Sequence, residues 1–147
     1  MVHRFAAVIA LVFSLGSIAA DANESNLQID LNVVNVASSK GLIRVAVCPR
    51  GSGFPECTGP GARTYSFNAA KGTTPAVIML SEPGDYAISV FHDRNSNNQL
   101  DTFAGIPKEG YGFSKNPGFK PRAPRFEEAQ VNLTRNANLE IRLQYIF

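Results

Sequence analysis

The sequence lacks most of the features that usually reveal an activity. Beyond residue 22 it holds a single histidine, His92, and the whole chain has two cysteines. It has no H-E-x-x-H zinc motif, no glycine-rich phosphate loop and no G-x-S-x-G nucleophile elbow. Because His92 and Asp93 are neighbours on a predicted strand, their side chains should point to opposite faces and not form a catalytic pair with Ser89 or Ser114. We therefore do not expect an enzyme, and a hydrolase is the less favoured alternative.

Strong charge is also missing. The formal net charge is +2, which is too small to predict nucleic acid or an acidic membrane as the partner. After the first twenty residues no apolar run is long enough to cross a bilayer, so no transmembrane segment is expected in the mature chain.

A helical pattern is absent as well. Apolar residues alternate with polar ones in short runs that end at turn residues, which is typical of half-buried strands. The predicted strands cover residues 27–33, 42–47, 63–67, 75–80, 86–92, 129–133 and 139–145. About seven short strands predict an all-β fold, an antiparallel β-sandwich with Greek-key connections. The first two strands and the last two are each expected to form a hairpin.

The amino-terminal residues are typical of an export signal. His3 and Arg4 precede an apolar run over residues 5–15, and small residues follow to Ala22. This order predicts a signal peptide over residues 1–22, with cleavage after either Ala19 or Ala22, and a single domain over residues 23–147. The protein is then expected to be periplasmic or secreted. A retained membrane anchor is less favoured, because the apolar run is short.

Export bears on the two cysteines. In an oxidising compartment the default state of two nearby cysteines is a disulfide, and the turn-rich segment between Cys48 and Cys57 can close a small loop. A metal or redox pair is the alternative, but the spacing is not C-x-x-C and no other cysteine is present.

The most informative stretch is residues 93–101, here called the acidic loop. Asp93, Asn95, Asn97 and Asp101 occupy the first, third, fifth and ninth positions of a calcium-type loop. Gln99 takes the seventh position, where the backbone carbonyl is the usual ligand. Alternate oxygen-bearing side chains can turn toward one centre, so the spacing predicts weak calcium binding.

Two features oppose this prediction. Ala104 stands at the twelfth position, where calcium loops of the helix–loop–helix type carry a bidentate glutamate, so this place has no ligand unless Glu109 or Asp85 reaches in or water fills the gap. Asp and Asn also shape tight loops through Asx-turns without any ion. Both interpretations stay open at this point.

A long segment over residues 102–126 carries aromatic and basic residues without a clear element. A loop of this length is often functional. One interpretation is that its aromatic side chains pack onto the sandwich. The other is a glycan- or peptide-binding surface that uses Tyr111, Phe113 and Phe119.

The central residues resemble a known pattern. Phe91-His92-Asp93-x-Asn95-x-Asn97-x-x-Leu100-Asp101, followed by Gly105-Ile106-Pro107-Lys108-Glu109-Gly110-Tyr111-Gly112-Phe113-Ser114, resembles a family of secreted bacterial proteins catalogued only as a domain of unknown function. The resemblance implies a small immunoglobulin-like or transthyretin-like sandwich and attaches no activity to it. The sequence departs from the pattern at Asn98, where Gly is common, and at Phe103-Ala104. Asn tolerates a left-handed backbone, so the turn is expected to form.

Together these observations predict an exported structural or interaction module. Its partner would be a protein or a glycan whose identity the residues do not specify.

Overall fold

The computed structural model describes residues 26–147, and the predicted signal peptide of residues 1–22 lies outside them. The described chain forms ten strands and one short helix. The strands are β1 (Leu27–Val36), β2 (Leu42–Pro49), β3 (Arg63–Asn68), β4 (Gly72–Leu80), β5 (Gly84–Asp93), β6 (Thr102–Phe103), β7 (Ile106–Pro107), β8 (Tyr111–Phe113), β9 (Val131–Leu133) and β10 (Ala137–Arg142), and the helix α1 covers Phe126–Ala129. The all-β prediction is confirmed. The strands outnumber the predicted seven by three, because the short strands β6, β7 and β8 lie in the segment 102–126, for which no element was predicted.

The strands assemble into two main sheets. One has three strands in the order β10-β1-β4. The other has five strands, of which four follow the order β3-β2-β5-β8 and the fifth, β9, also pairs with β5. Strands β6 and β7 form a separate small hairpin. All pairs are antiparallel except β1 and β10, which run parallel. The immunoglobulin-like or transthyretin-like connectivity stays a prediction. No helix within the described residues is long and apolar enough to cross a bilayer.

The core lies between the two sheets, where the period-two pattern directs alternate side chains. In β1, Ile29, Leu31 and Val33 are almost completely buried, while the residues between them face outward. The other sheet contributes residues such as Val45 and Val90. Full burial of one such aliphatic side chain contributes about 1.5–3 kcal/mol, so these alternating positions hold the sheets together.

Both predicted hairpins are wrong. Strand β1 pairs with β4 and β10 in the three-stranded sheet, whereas β2 pairs with β3 and β5 in the other sheet. Likewise β9 pairs with β5, and β10 lies beside β1. Alternation identifies which side chains face the core, but strands from either sheet show the same alternation. The pattern therefore could not reveal that the connecting turns pass between sheets.

The cysteine prediction is confirmed. Cys48 and Cys57 are joined by a disulfide with their Cα atoms 5.4 Å apart, and both side chains are buried. The loop they close folds over the outer face of the five-stranded sheet. There the Ser89 hydroxyl donates to the carbonyl of Pro55 at 2.9 Å, and the rings of Phe54 and Phe113 meet edge to face at 5.7 Å.

Candidate functional site

The acidic loop begins at the last residue of β5 and ends just before the β6–β7 hairpin. Its first residue, Asp93, is fully buried and pairs with Leu42 of β2. The next residues, from Arg94 to Gln99, are exposed. The loop is therefore anchored in the sheet at one side only, and its remaining shape depends on side-chain hydrogen bonds.

The carboxylate of Asp93 organises the first half of the loop. Oδ2 accepts from Nε of Arg44 at 2.9 Å and from the backbone N–H of Asn98 at 2.9 Å. Oδ1 accepts from the backbone N–H of Asn97 at 3.0 Å. Burial by itself raises the pKa of Asp93, but the Arg44 and backbone hydrogen bonds outweigh it and hold that pKa below its usual value. Asp93 is thus ionised and fully engaged with groups of the protein.

The remaining polar side chains converge on Asp101. Its two carboxylate oxygens accept from Nδ2 of Asn95 at 2.8 Å and from Nδ2 of Asn97 at 2.9 Å. The amide oxygens of the same two residues accept backbone N–H groups two residues ahead, from Asn97 and Gln99. The structure therefore brings Asn95, Asn97 and Asp101 together, and it does so through Asx-turns. The role of these residues as calcium ligands stays a prediction.

The backbone of Asn98 is left-handed, with φ at 62°. The expectation that Asn can replace Gly here is confirmed. Ala104 takes no part in the loop, because it sits with Gly105 in the exposed turn of the β6–β7 hairpin.

Glu109 lies outside the acidic loop and accepts hydrogen bonds from two of its residues. Its side chain is buried, with 5% exposure. Oε1 accepts from the N–H of Arg94 at 2.9 Å, and Oε2 accepts from the N–H of Asp101 at 3.1 Å. Glu109 thus joins the two ends of the acidic loop. Asp85, the other acid that could have reached the loop, bonds instead to Asn132 at the far end of β5.

The donor set for a cation is rich in amides and poor in charge. Among the described residues no three His, Cys, Asp or Glu side chains gather as a metal-binding group. The loop contributes two carboxylates and two side-chain amides. The carboxylate of Asp93 is paired with Arg44, whereas that of Asp101 accepts from the amides of Asn95 and Asn97. Oxygen donors of this kind suit calcium better than zinc, since zinc prefers nitrogen and sulfur.

His92 belongs to a separate buried network on the core side of β5. Its Nε2 lies 2.8 Å from the carbonyl of Lys40, and its Nδ1 lies 3.1 Å from the hydroxyl of Tyr145. That hydroxyl in turn accepts from the N–H of Ala37 at 3.0 Å. A neutral ring with its proton on Nε2 satisfies every group in this network. Ser89 and Ser114 bond to other backbone groups, so the structure does not bring His92 to either serine.

The three aromatic residues of the predicted ligand surface have different surroundings. Tyr111 and Phe113 are partly buried on the outer face of β8 and meet edge to face at 5.9 Å, with an interplanar angle of 66°. Phe113 also contacts Phe54. Phe119 is 67% exposed. The cleft among these rings has a volume of about 20 Å³, which is room for a water molecule and not for a sugar ring.

Two of the five cations of this long segment are paired with an acid. Lys120 and Arg122 both bond to Glu128 at the start of α1. The Arg122 hydrogen bond, helped by Lys120, holds the pKa of Glu128 well below its usual range. Near the aromatic rings, these two ion pairs therefore attach the segment to α1.

Sequence reasoning missed Arg44 and Phe54, and it gave Glu109 only a conditional role. Arg44 occupies an outward position of β2 and could be read as an ordinary surface cation. Its partner Asp93 is 49 residues away. A buried role for Glu109 could have been suspected only from its place as the sole acid in a basic segment.

Comparison with known proteins identifies a family. No curated protein and no solved structure matches the chain. A family model described as "Uncharacterized protein conserved in bacteria" matches residues 31–142, from the middle of β1 to the end of β10. Because this match covers most of the described chain, the protein belongs to that family of uncharacterized conserved bacterial proteins, DUF2141.

Proposed function

We propose that the protein is an exported β-sandwich module that acts as a structural or interaction domain and binds calcium weakly at its acidic loop. The observation that carries the calcium proposal is the convergence of Asn95 and Asn97 on the Asp101 carboxylate, within 2.9 Å. Asp93 fixes the turn beneath them through the N–H groups of Asn97 and Asn98. A calcium loop needs this combination of a capped turn and clustered oxygen donors.

An ion would substitute for hydrogen-bond donors that the loop now supplies itself. Both oxygens of Asp101 accept side-chain N–H groups. A half-turn of the Asn95 and Asn97 amides exchanges each nitrogen for an oxygen, and it breaks the hydrogen bonds that the amide oxygens now accept from the N–H groups of Asn97 and Gln99. A cation beside Asp101 would then take the place of the two N–H donors, with the carbonyl of Gln99 as a further ligand.

The charge of the donor set explains why binding should be weak. The negative charge of Asp93 is shared with Arg44, which leaves Asp101 as the main anionic ligand. Affinity for calcium rises with ligand charge, so the dissociation constant should be on the order of 10⁻⁴ M or weaker, in the range of extracellular modules.

Export rests on the order of basic, apolar and small residues in positions 1–22. The closed Cys48–Cys57 disulfide supports it, because such bonds persist in oxidising compartments. Mass spectrometry of the protein recovered from the periplasm should find the first residue between Ala20 and Asn23, and an intact Met1 would contradict export with cleavage.

Calcium binding is tested by calorimetry and thermal melts on matched variants. Asp101→Asn removes the main anionic ligand, and Glu56→Gln removes the same charge from an exposed position in the cysteine loop. At ten times the dissociation constant, calcium should stabilise the wild type by about 1.4 kcal/mol. Glu56→Gln should respond like the wild type, and Asp101→Asn should not respond. No response of the wild type at about 10 mM calcium would leave the loop as a hydrogen-bonded turn without an ion.

A glycan- or peptide-binding role for Tyr111, Phe113 and Phe119 has less support. Rings that bind a sugar face usually present a flat platform or line a cleft. Here Tyr111 and Phe113 pack edge to face, and only Phe119 is largely exposed. If this role is nevertheless correct, Phe119→Ala should abolish binding in a glycan array without changing stability.

A further inference from the structure

One end of the sandwich collects three connections and the carboxy-terminal residues. These are the β1–β2 turn (37–41), the β3–β4 turn (69–71), the segment 94–110, and residues 143–147, here together called the cationic end. Direct contacts join them. The N–H of Lys71 donates to Ser39 at 2.9 Å, the N–H of Ala37 donates to the Tyr145 hydroxyl, and a Cβ on Gly41 would overlap the Asp93 carbonyl oxygen.

The cationic end carries an exposed apolar tip. Phe103 and Ile106 are paired across the β6–β7 hairpin, and their side chains are 67% and 41% exposed. The two residues between them, Ala104 and Gly105, form a tight left-handed turn. The last two residues of the chain, Ile146 and Phe147, are also exposed. Of the seven exposed large apolar side chains in the described residues, four therefore lie at this one end.

Four exposed cations lie at the same end as the apolar tip. Lys40, Lys71, Arg94 and Lys108 are exposed, and none of the four forms an ion pair within residues 26–147. The acids close to them are mostly withdrawn, because Asp93 and Glu109 are buried and only Asp101 is partly exposed. At the opposite end, by contrast, Arg50 is paired with Glu127, and the acids Glu56 and Glu82 are exposed.

We propose that the cationic end docks on an anionic lipid surface, with the hairpin tip inserted among the lipid headgroups. An apolar tip at the same end as four unpaired cations is complementary to apolar chains beneath a layer of phosphates. The apolar area of the tip comes from only two paired side chains. It is far smaller than the roughly 800 Å² that each partner buries in a standard protein interface. A bilayer needs no matching shape, so a small tip is sufficient there.

The composition of the chain does not reveal the cationic end, because its four cations are far apart in the sequence. A net charge of +2 predicts no anionic partner, and the four cations are spread from residue 40 to residue 108 in the sequence. Only the connections between strands bring them to one end. The proposal does not depend on calcium, and its test is made in EDTA so that the two can fail separately.

The test is co-sedimentation with lipid vesicles. The protein is used as recovered from the expressing cells, with the same amino terminus in every variant. One set of vesicles contains phosphatidylcholine only, and the other also contains about 30% phosphatidylglycerol. Phe103→Ser/Ile106→Ser removes the tip. Val77→Ser/Met79→Ser is the matched control, because these residues are 53% and 43% exposed on the outer face of β4.

The wild type should sediment with the anionic vesicles and much less with the neutral ones. Loss of the tip should lower the partition coefficient on the order of tenfold, because the variant no longer buries apolar area. Val77→Ser/Met79→Ser should bind like the wild type. Lys108→Glu should weaken binding by more than about fivefold, the effect of one cation near an anionic surface, and Arg135→Glu at the opposite end should not.

Several results would overturn the proposal. These are equal sedimentation with the two kinds of vesicle, no binding at all, or equal losses in the tip variant and its control. Binding that survives removal of the tip but is lost in about 0.5 M salt would indicate a general attraction of charge, and it would contradict insertion. All substituted side chains are exposed, and circular dichroism checks that each variant is folded.

Discussion

Arg44 and Asp93 form an ion pair of 2.9 Å in which the carboxylate is fully buried and the guanidinium is 20% exposed. The pair joins β2 to the start of the acidic loop. The same carboxylate accepts two backbone N–H groups of that loop. The sheet and the loop are therefore coupled through one side chain, and the shape of the loop depends on the charge of Asp93.

Replacing that charge should be costly. Asp93→Asn would leave Arg44 without its counter-ion and would put an amide nitrogen where a backbone N–H now donates. Because breaking a buried pair leaves an uncompensated charge, the variant should lose roughly 3 kcal/mol of unfolding free energy. Urea unfolding measures this loss. Glu56→Gln, which removes an exposed acid, should stay within about 0.5 kcal/mol of the wild type. A loss below about 1 kcal/mol in Asp93→Asn would show that the pair is not a main support of the fold.

The free energy of unfolding should depend on pH through the titration of the same carboxylate, that of Asp93. The folded pKa of Asp93 lies below its unfolded value, so the stabilisation is complete above an unfolded pKa of about 4. It is lost as the pH falls through the folded pKa. In urea unfolding from pH 7 down to pH 3, the stability gap between the wild type and Asp93→Asn should therefore narrow below about pH 4. A gap that stays constant over this range would contradict the assignment.

Glu109 should control local opening of the acidic loop. In Glu109→Gln one acceptor oxygen becomes an N–H donor, so the backbone N–H of either Arg94 or Asp101 loses its side-chain acceptor. Exchange of these two amide protons, followed by NMR, should become faster by about tenfold or more, the equivalent of one lost hydrogen bond to a charged group. Core amides such as that of Val45 should keep their protection. Unchanged exchange at both positions would show that other contacts hold the loop closed.

The disulfide should stabilise the fold without being required for it. The bond closes a loop with a sequence separation of nine residues, for which the chain-entropy model gives roughly 2–3 kcal/mol. Cys48→Ala/Cys57→Ala should lose about that amount in urea unfolding, while its circular dichroism spectrum remains that of a β-protein. The edge-to-face contacts of Phe54 with Phe113 and Phe126 should then hold the loop more loosely. Free thiols in the unreduced, unfolded wild type would contradict the bond itself.

Local features were predictable from the sequence, because neighbouring residues determine them. The strand before the acidic loop, the left-handed backbone of Asn98 and the pairing of Cys48 with Cys57 all follow from patterns spanning ten residues or fewer. The clustering of Asn95, Asn97 and Asp101 also follows from their spacing.

Long-range relationships could not be predicted in this way. Hairpins were expected for the first two and last two strands, yet β1 lies beside β10, the last strand, in parallel register. Arg44 and Asp93 are 49 residues apart, and Glu109 reaches back to Arg94 across 15 residues. Each of these partners is selected by the packing of the sheets. A single sequence carries no signal for such pairs.

The most direct test of the account is a calcium titration of the ¹⁵N-labelled protein followed by NMR. If the acidic loop binds the ion, the amide signals of Asn95, Asn97 and Asp101 should shift together and report one dissociation constant on the order of 10⁻⁴ to 10⁻³ M. Signals from β4, outside the loop, should stay in place, and magnesium at the same concentration should have little effect. The absence of shifts in the acidic loop at about 10 mM calcium would contradict the central claim, and so would shifts spread evenly over the exposed acids of the chain.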